Sequence, residues 1–141
     1  MKRKLDCIIL VDDDEPTNFI HKIVIQETDC CEEIVVCEDG PSALRTLQDR
    51  YASHLALPNL VFLDINMPGM NGWQFIDKYE ELDPKLREEI IVVMLSTSEN
   101  PDDLRKAKEL VTVSAFYNKP LTEELIFSIL EEYFPNYLLK P

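Results

Sequence analysis

The chain has no surplus of positive charge. Its 141 residues carry 14 Lys and Arg against 27 Asp and Glu, a formal net charge of -13, so the clustered basic groups that draw proteins onto nucleic-acid phosphates are missing. No apolar run approaches the roughly 18 residues of a membrane span. The N-terminal MKRKLDCIILV imitates the basic start of a signal peptide, but its apolar stretch is short and runs into three aspartates. Cys7, Cys30, Cys31 and Cys37 have neither the CxxC nor the Cys/His spacing of a zinc site and read as reduced thiols. There is no short repeat, low-complexity tract or internal linker. These absences point to a cytoplasmic protein, with no direct nucleic-acid or membrane partner.

What is present fits one compact unit. A chain of this length buries a real core but has no room for a second output or DNA-binding module, so residues 1–141 are expected to form a single domain with a short tail, 135–141. Short β-branched runs alternate five times with stretches of helical period. The expected strands are Asp6 to Val11, Ile34 to Cys37, Leu60 to Leu63, Ile90 to Leu95 and Ala115 to Tyr117. Between them, helices of about 10 to 15 residues have start signals: Asp14 before Pro16, Gly40 with Pro41, Asn71, Asn100 before Pro101, and Thr122. Strands apolar on both faces and alternating with helices imply an α/β fold, a parallel sheet covered on both sides.

One strand ends oddly. In NLVFLDINMPGMNG an apolar run meets Asp64 directly before the chain turns at Pro68 and Gly69, and a buried lone carboxylate is costly unless it has partners or a metal. In an open α/β sheet, ligands sit beyond the carboxyl ends of the strands. Those ends carry Asp12, Asp13 and Asp14 after the first strand, Asp64 and Asn66 after the third, Ser96, Thr97 and Ser98 after the fourth, and Lys119 and Pro120 after the fifth. Each type suits a phosphoryl group. Asp13 and Asp64, with Asp12 in support, offer the few hard oxygens that Mg²⁺ takes. Lys119 brings an ammonium to phosphoryl oxygens and Ser96 a hydroxyl. Asp64 is the candidate nucleophile, a carboxylate able to form an acyl phosphate.

With those residues in place the chain resembles, over nearly its whole length, the receiver domain of two-component response regulators, in particular the single-domain chemotaxis-regulator kind. The matching pieces are IILVDDDE, VFLDINMPGMNG, VVMLSTS and AFYNKP. The resemblance implies a flavodoxin-like (βα)5 sandwich with strand order 2-1-3-4-5. It implies Mg²⁺, or another divalent cation such as Mn²⁺, held by Asp12, Asp13, Asp64 and the backbone carbonyl of Asn66. Asp64 becomes the phosphoacceptor, Lys119 the phosphate contact, Ser96 and Phe116 the switch pair, and Pro120 a candidate cis-proline. It implies a phosphoryl donor, a histidine kinase or histidine phosphotransfer protein, and a downstream protein partner. The readout surface would be the fourth helix, fifth strand and fifth helix, which is also a candidate face for homodimerisation.

Three positions depart from the commonest family pattern: Ser96 stands for threonine, Thr97 for a small residue, and Phe116 for an aromatic that often carries a hydroxyl. Two rival readings compete with this one. Aspartate-nucleophile phosphatases place a second aspartate two residues on for acid/base work; here that position is Asn66, so the expectation is a protein that is no enzyme beyond its own phosphorylation and dephosphorylation. A scaffold without chemistry is disfavoured by the complete set Asp13, Asp64, Ser96 and Lys119. Trp73, Phe75, Ile76 and Tyr79 read as helix packing, and neither His21 nor His54 has ligand-spaced partners.

Overall fold

The computed structural model describes residues 4–97 and 100–136. Five strands, β1 (Leu5–Val11), β2 (Cys31–Cys37), β3 (Leu60–Asp64), β4 (Ile91–Ser96) and β5 (Val113–Asn118), form one parallel sheet in the order β2-β1-β3-β4-β5. The expected architecture and strand order are thus observed. Ser98 and most of the tail, residues 137–141, lie outside the described residues.

The central strands explain the sheet's legibility. Every residue of β3 is buried, as is β1 apart from Asp6 and β4 apart from Ile91. This is the both-faces-covered signature of an interior parallel strand. The edge strands are different. β2 begins at Cys31, three residues before the expected start, because Glu32 and Glu33 on the open edge break the apolar run. Likewise β5 starts two residues early, at Val113.

Helices α1 (Glu15–Thr28) and α6 (Glu123–Tyr133) cover one face, and α2 (Gly40–Ala52), α3 (Gly72–Tyr79), α4 (Pro84–Arg87) and α5 (Pro101–Glu109) the other. The starts follow the local chemistry: side chains of Asp14, Asn71, Asn100 and Thr122 accept a backbone N–H in the first turn of their helices, and Asp39 does so for α2. Asn71 and Gln74 close a reciprocal capping box at α3. One helix departs from expectation. Instead of a single helix of about 10 to 15 residues, α3 spans 8 residues and a separate single turn, α4, follows. The cause is Asp83–Pro84: the residue before proline disfavours helical backbone, and Asp83 starts a new turn by accepting from Lys85 N–H at 2.9 Å.

Phe75, Ile76 and Tyr79 pack into the core beneath α3, as expected of packing residues. Trp73 lies at the surface of that core, and the Lys106 ammonium of α5 sits over its ring, 4.8 Å from the centroid. All four cysteines are free thiols. Among the described residues, no helix is long and apolar enough to cross a membrane.

Candidate functional site

Parallel strands bring their carboxyl ends to one edge, and the chemistry gathers there. β1 delivers Asp12 and Asp13, β3 ends on Asp64, β4 ends on Ser96, and β5 leads to Lys119. The carboxylates of Asp12, Asp13 and Asp64 have ligand oxygens within 4.8 Å of one another. The Lys119 ammonium bridges two of them, 2.6 Å from Asp12 and 3.0 Å from Asp64. Asp12 and Asp64 are buried, whereas Asp13 is exposed. Asp64 therefore has the partners its position demands.

The bond joining Lys119 and Pro120 is cis, as expected. Lys119 N–H donates to the Ser96 carbonyl at 2.8 Å, tying the lysine's backbone to the end of β4. Ser96 is fully buried and Thr97 exposed. Phe116 is half-buried against the face that carries α2 to α5, and Tyr117 packs on the opposite face.

Charge balance sets the electrostatics. Burial, and next the negative charge of Asp12, push the Asp64 pKa above the ordinary carboxylate value, against the opposing Lys119 ammonium and the Asn66 backbone N–H. Burial pulls Lys119 down, but its hydrogen bonds and charge pairing with Asp12 and Asp64 outweigh this and leave it above the ordinary lysine value. With three carboxylates facing one ammonium, the site holds excess negative charge. Hard oxygen donors in that state suit a divalent cation that keeps several waters, so the donor set fits Mg²⁺ or Mn²⁺.

The raised Asp64 pKa has a stability consequence. The folded state binds the Asp64 proton more tightly than the unfolded chain, so this group's contribution to stability falls as pH rises from the unfolded value, about 3.9, through the raised folded value. Above that window the cost is fully present. Without divalent cations, Asp64→Asn should therefore stabilise the protein at pH 7 by about 0.5–2 kcal/mol, with the gain shrinking toward pH 4. Urea unfolding of both proteins across that range checks the sign.

Gly72, the first residue of α3, shapes the other side of the site. Its N–H donates to the Ile65 carbonyl at 2.7 Å, and a Cβ there would lie 2.8 Å from the Asp64 carbonyl oxygen and 2.9 Å from Ile65 Cα. Both obstacles are backbone, so the strand end itself has to shift. Gly72→Ala is expected to cost about 1–3 kcal/mol and to move Asp64, measurable as a lower urea midpoint. Gly69 serves the same loop differently: its φ of 79° suits a turn with proline one residue earlier.

Two residues of α1 were not foreseen as part of the site. Asn18 donates through Nδ2 to the Asp12 carbonyl at 2.8 Å, and buried His21 accepts at Nε2 from Leu121 N–H at 3.2 Å. With Asp12 and Asp64 they line one small cavity beneath the carboxylates. Their partners are backbone groups, and no sequence spacing marks such pairs.

The family model for the response regulator receiver domain matches residues 8–131. The response regulator Rcp1 of Synechocystis is 28% identical over 125 residues, covering 88% of this chain and 83% of that protein. A two-component response regulator structure from Cytophaga hutchinsonii superposes with a TM-score of 0.87 at 34% identity, covering 94% of this chain and 99% of that one. A structure of the Mn²⁺-bound form of Rcp1 superposes with a TM-score of 0.72 at 26% identity, covering 96% and 99%.

Proposed function

Because this chain belongs to the response regulator receiver family, we propose that it is a cytoplasmic phosphorelay protein that accepts a phosphoryl group on Asp64. The observation that carries this reading is the Lys119 ammonium bridging Asp12 and Asp64, with Asp13 beside them, at one sheet edge. Asp12, Asp13, Asp64 and the Asn66 carbonyl are the groups that would hold a divalent cation. When bound, that cation supplies positive charge to the phosphoryl oxygens during transfer. That the similar protein Rcp1 has a Mn²⁺-bound form supports a divalent cation as the group bound here.

The chain's own groups do the rest. An oxygen of the Asp64 carboxylate forms the new O–P bond as the N–P bond of a donor phosphohistidine, or the O–P bond of an acyl phosphate, breaks; the imidazole or carboxylate leaves with the bonding pair. Lys119 gives up its contact with Asp64 Oδ1 for the phosphoryl oxygens, where its charge counts most in a water-poor site. Position 66 is an amide and exchanges no proton near neutral pH, so the acyl phosphate outlives the transfer, as a signal requires.

The readout runs through Ser96 and Phe116. A phosphoryl group on Asp64 draws the Ser96 hydroxyl inward, and Phe116 on β5 occupies the space released. The surface of α5, β5 and α6 thereby changes its affinity for a downstream protein or for a second copy of the chain. The donor is a histidine kinase or a histidine phosphotransfer protein. Titration with beryllofluoride and Mg²⁺, followed by ¹H–¹⁵N NMR, tests this. Resonances around Asp64, Ser96 and Lys119 and on the α5–β5–α6 surface are expected to shift together; a spectrum that ignores beryllofluoride overturns the assignment.

A further inference from the structure

We propose that His21 is a positioning residue for Lys119, acting through the hydrogen bond between its Nε2 and the backbone N–H of Leu121. The inference rests on Asp64 being the phosphoacceptor. Lys119 reaches Asp12 and Asp64 from a loop, and a loop places an ammonium only as well as its backbone is anchored. On the N-terminal side the anchor is Lys119 N–H on the Ser96 carbonyl, 2.8 Å. On the C-terminal side Pro120 has no N–H to give, so the first donor after the lysine is Leu121. Leu121 is buried, and its N–H goes to His21 Nε2 at 3.2 Å.

The bond joins two distant parts of the chain, residues 21 and 121, linking α1 to the loop between β5 and α6 on the sheet face that these two helices cover. α1 therefore holds both sides of the site: Asn18 grips the Asp12 carbonyl and His21 grips the loop behind Lys119. The same geometry dictates the imidazole's tautomer. To accept from an amide, Nε2 must be unprotonated, which places the ring proton on Nδ1. Burial, with the Lys119 charge adding to it and Asp12 opposing, holds the His21 pKa below the ordinary histidine value, consistent with a neutral ring.

Long-range ¹H–¹⁵N NMR of the wild-type protein reads the tautomer directly and involves no phosphoryl chemistry. The Nδ1–H form is expected; a ring protonated on Nε2 overturns the proposal. Phosphorylation kinetics with acetyl phosphate at saturating Mg²⁺ supply the functional arm. His21→Leu keeps the bulk, removes the acceptor and should lower the rate constant about tenfold or more. His21→Gln places an amide oxygen near the position of Nε2 and should recover to within about threefold of wild type. Mg²⁺ affinity, measured without acetyl phosphate, should change less than about twofold in the leucine variant because Asp12, Asp13 and Asp64 are retained. A leucine variant as fast as wild type, a folded glutamine variant as slow as leucine, or a parallel collapse of Mg²⁺ affinity each overturns it. A wild-type protein that acetyl phosphate leaves unmodified instead sinks the assignment of Asp64.

Discussion

Asp64→Asn is expected to abolish phosphorylation: acetyl phosphate with Mg²⁺ adds one phosphoryl group to the wild-type chain and none to the variant. The substitution exchanges one carboxylate oxygen for an amide nitrogen, nearly preserving shape while removing the nucleophile. It also subtracts a negative charge from a site where three carboxylates face one ammonium, so the fold should not suffer. The rate should fall more than about a hundredfold, the scale of removing a group on which covalent chemistry depends. Intact-protein mass spectrometry over a time course reads the result, and undiminished modification of the variant would place the acceptor elsewhere.

Lys119→Met should have the second large effect, and on stability as well as chemistry. The lysine and its two partners are nearly buried, with side-chain exposures of 13% for Lys119 and 6% for Asp12 and for Asp64. Removing one member of such a set strands the others, at a typical cost of about 3–5 kcal/mol. Asp64→Asn leaves Asp12 paired with Lys119; Lys119→Met leaves Asp12 and Asp64 facing each other with nothing between them. The two substitutions should thus move the urea midpoint in opposite directions. Mg²⁺ should restore much of the loss in the methionine variant, because binding at a hundredfold excess over Kd adds about 2.7 kcal/mol and the competing ammonium is gone. Equal midpoints with and without Mg²⁺ would contradict this account of the charge balance.

The parts of this arrangement that could be read from sequence are those in which side-chain identity itself marks the structure. Asp14, Asn71, Asn100 and Thr122 cap helices through oxygens placed a few residues from the N–H they accept, a local signal. The apolar runs ending at Val11, Leu63 and Leu95 mark interior strands, and the residues after them are those found at the sheet edge. What escaped has a common cause. Asn18 and His21 bond to the carbonyl of Asp12 and the amide of Leu121, groups every residue possesses, so nothing in the partner's identity announces them. Gly72 escaped because its role is the side chain it lacks. The early starts of β2 and β5 escaped because edge strands tolerate polar residues on their open side, and the break between α3 and α4 because a helix-period pattern masked Asp83–Pro84.

The stacking of Lys106 on Trp73 gives the molecule a built-in optical gauge. Trp73 is the sole tryptophan of the chain, and its indole shares a contact with the very helix whose surface is assigned to partner recognition. Any slide of α5 against α3 alters the field at that ring, so emission colour and lifetime would report such a slide without an attached dye.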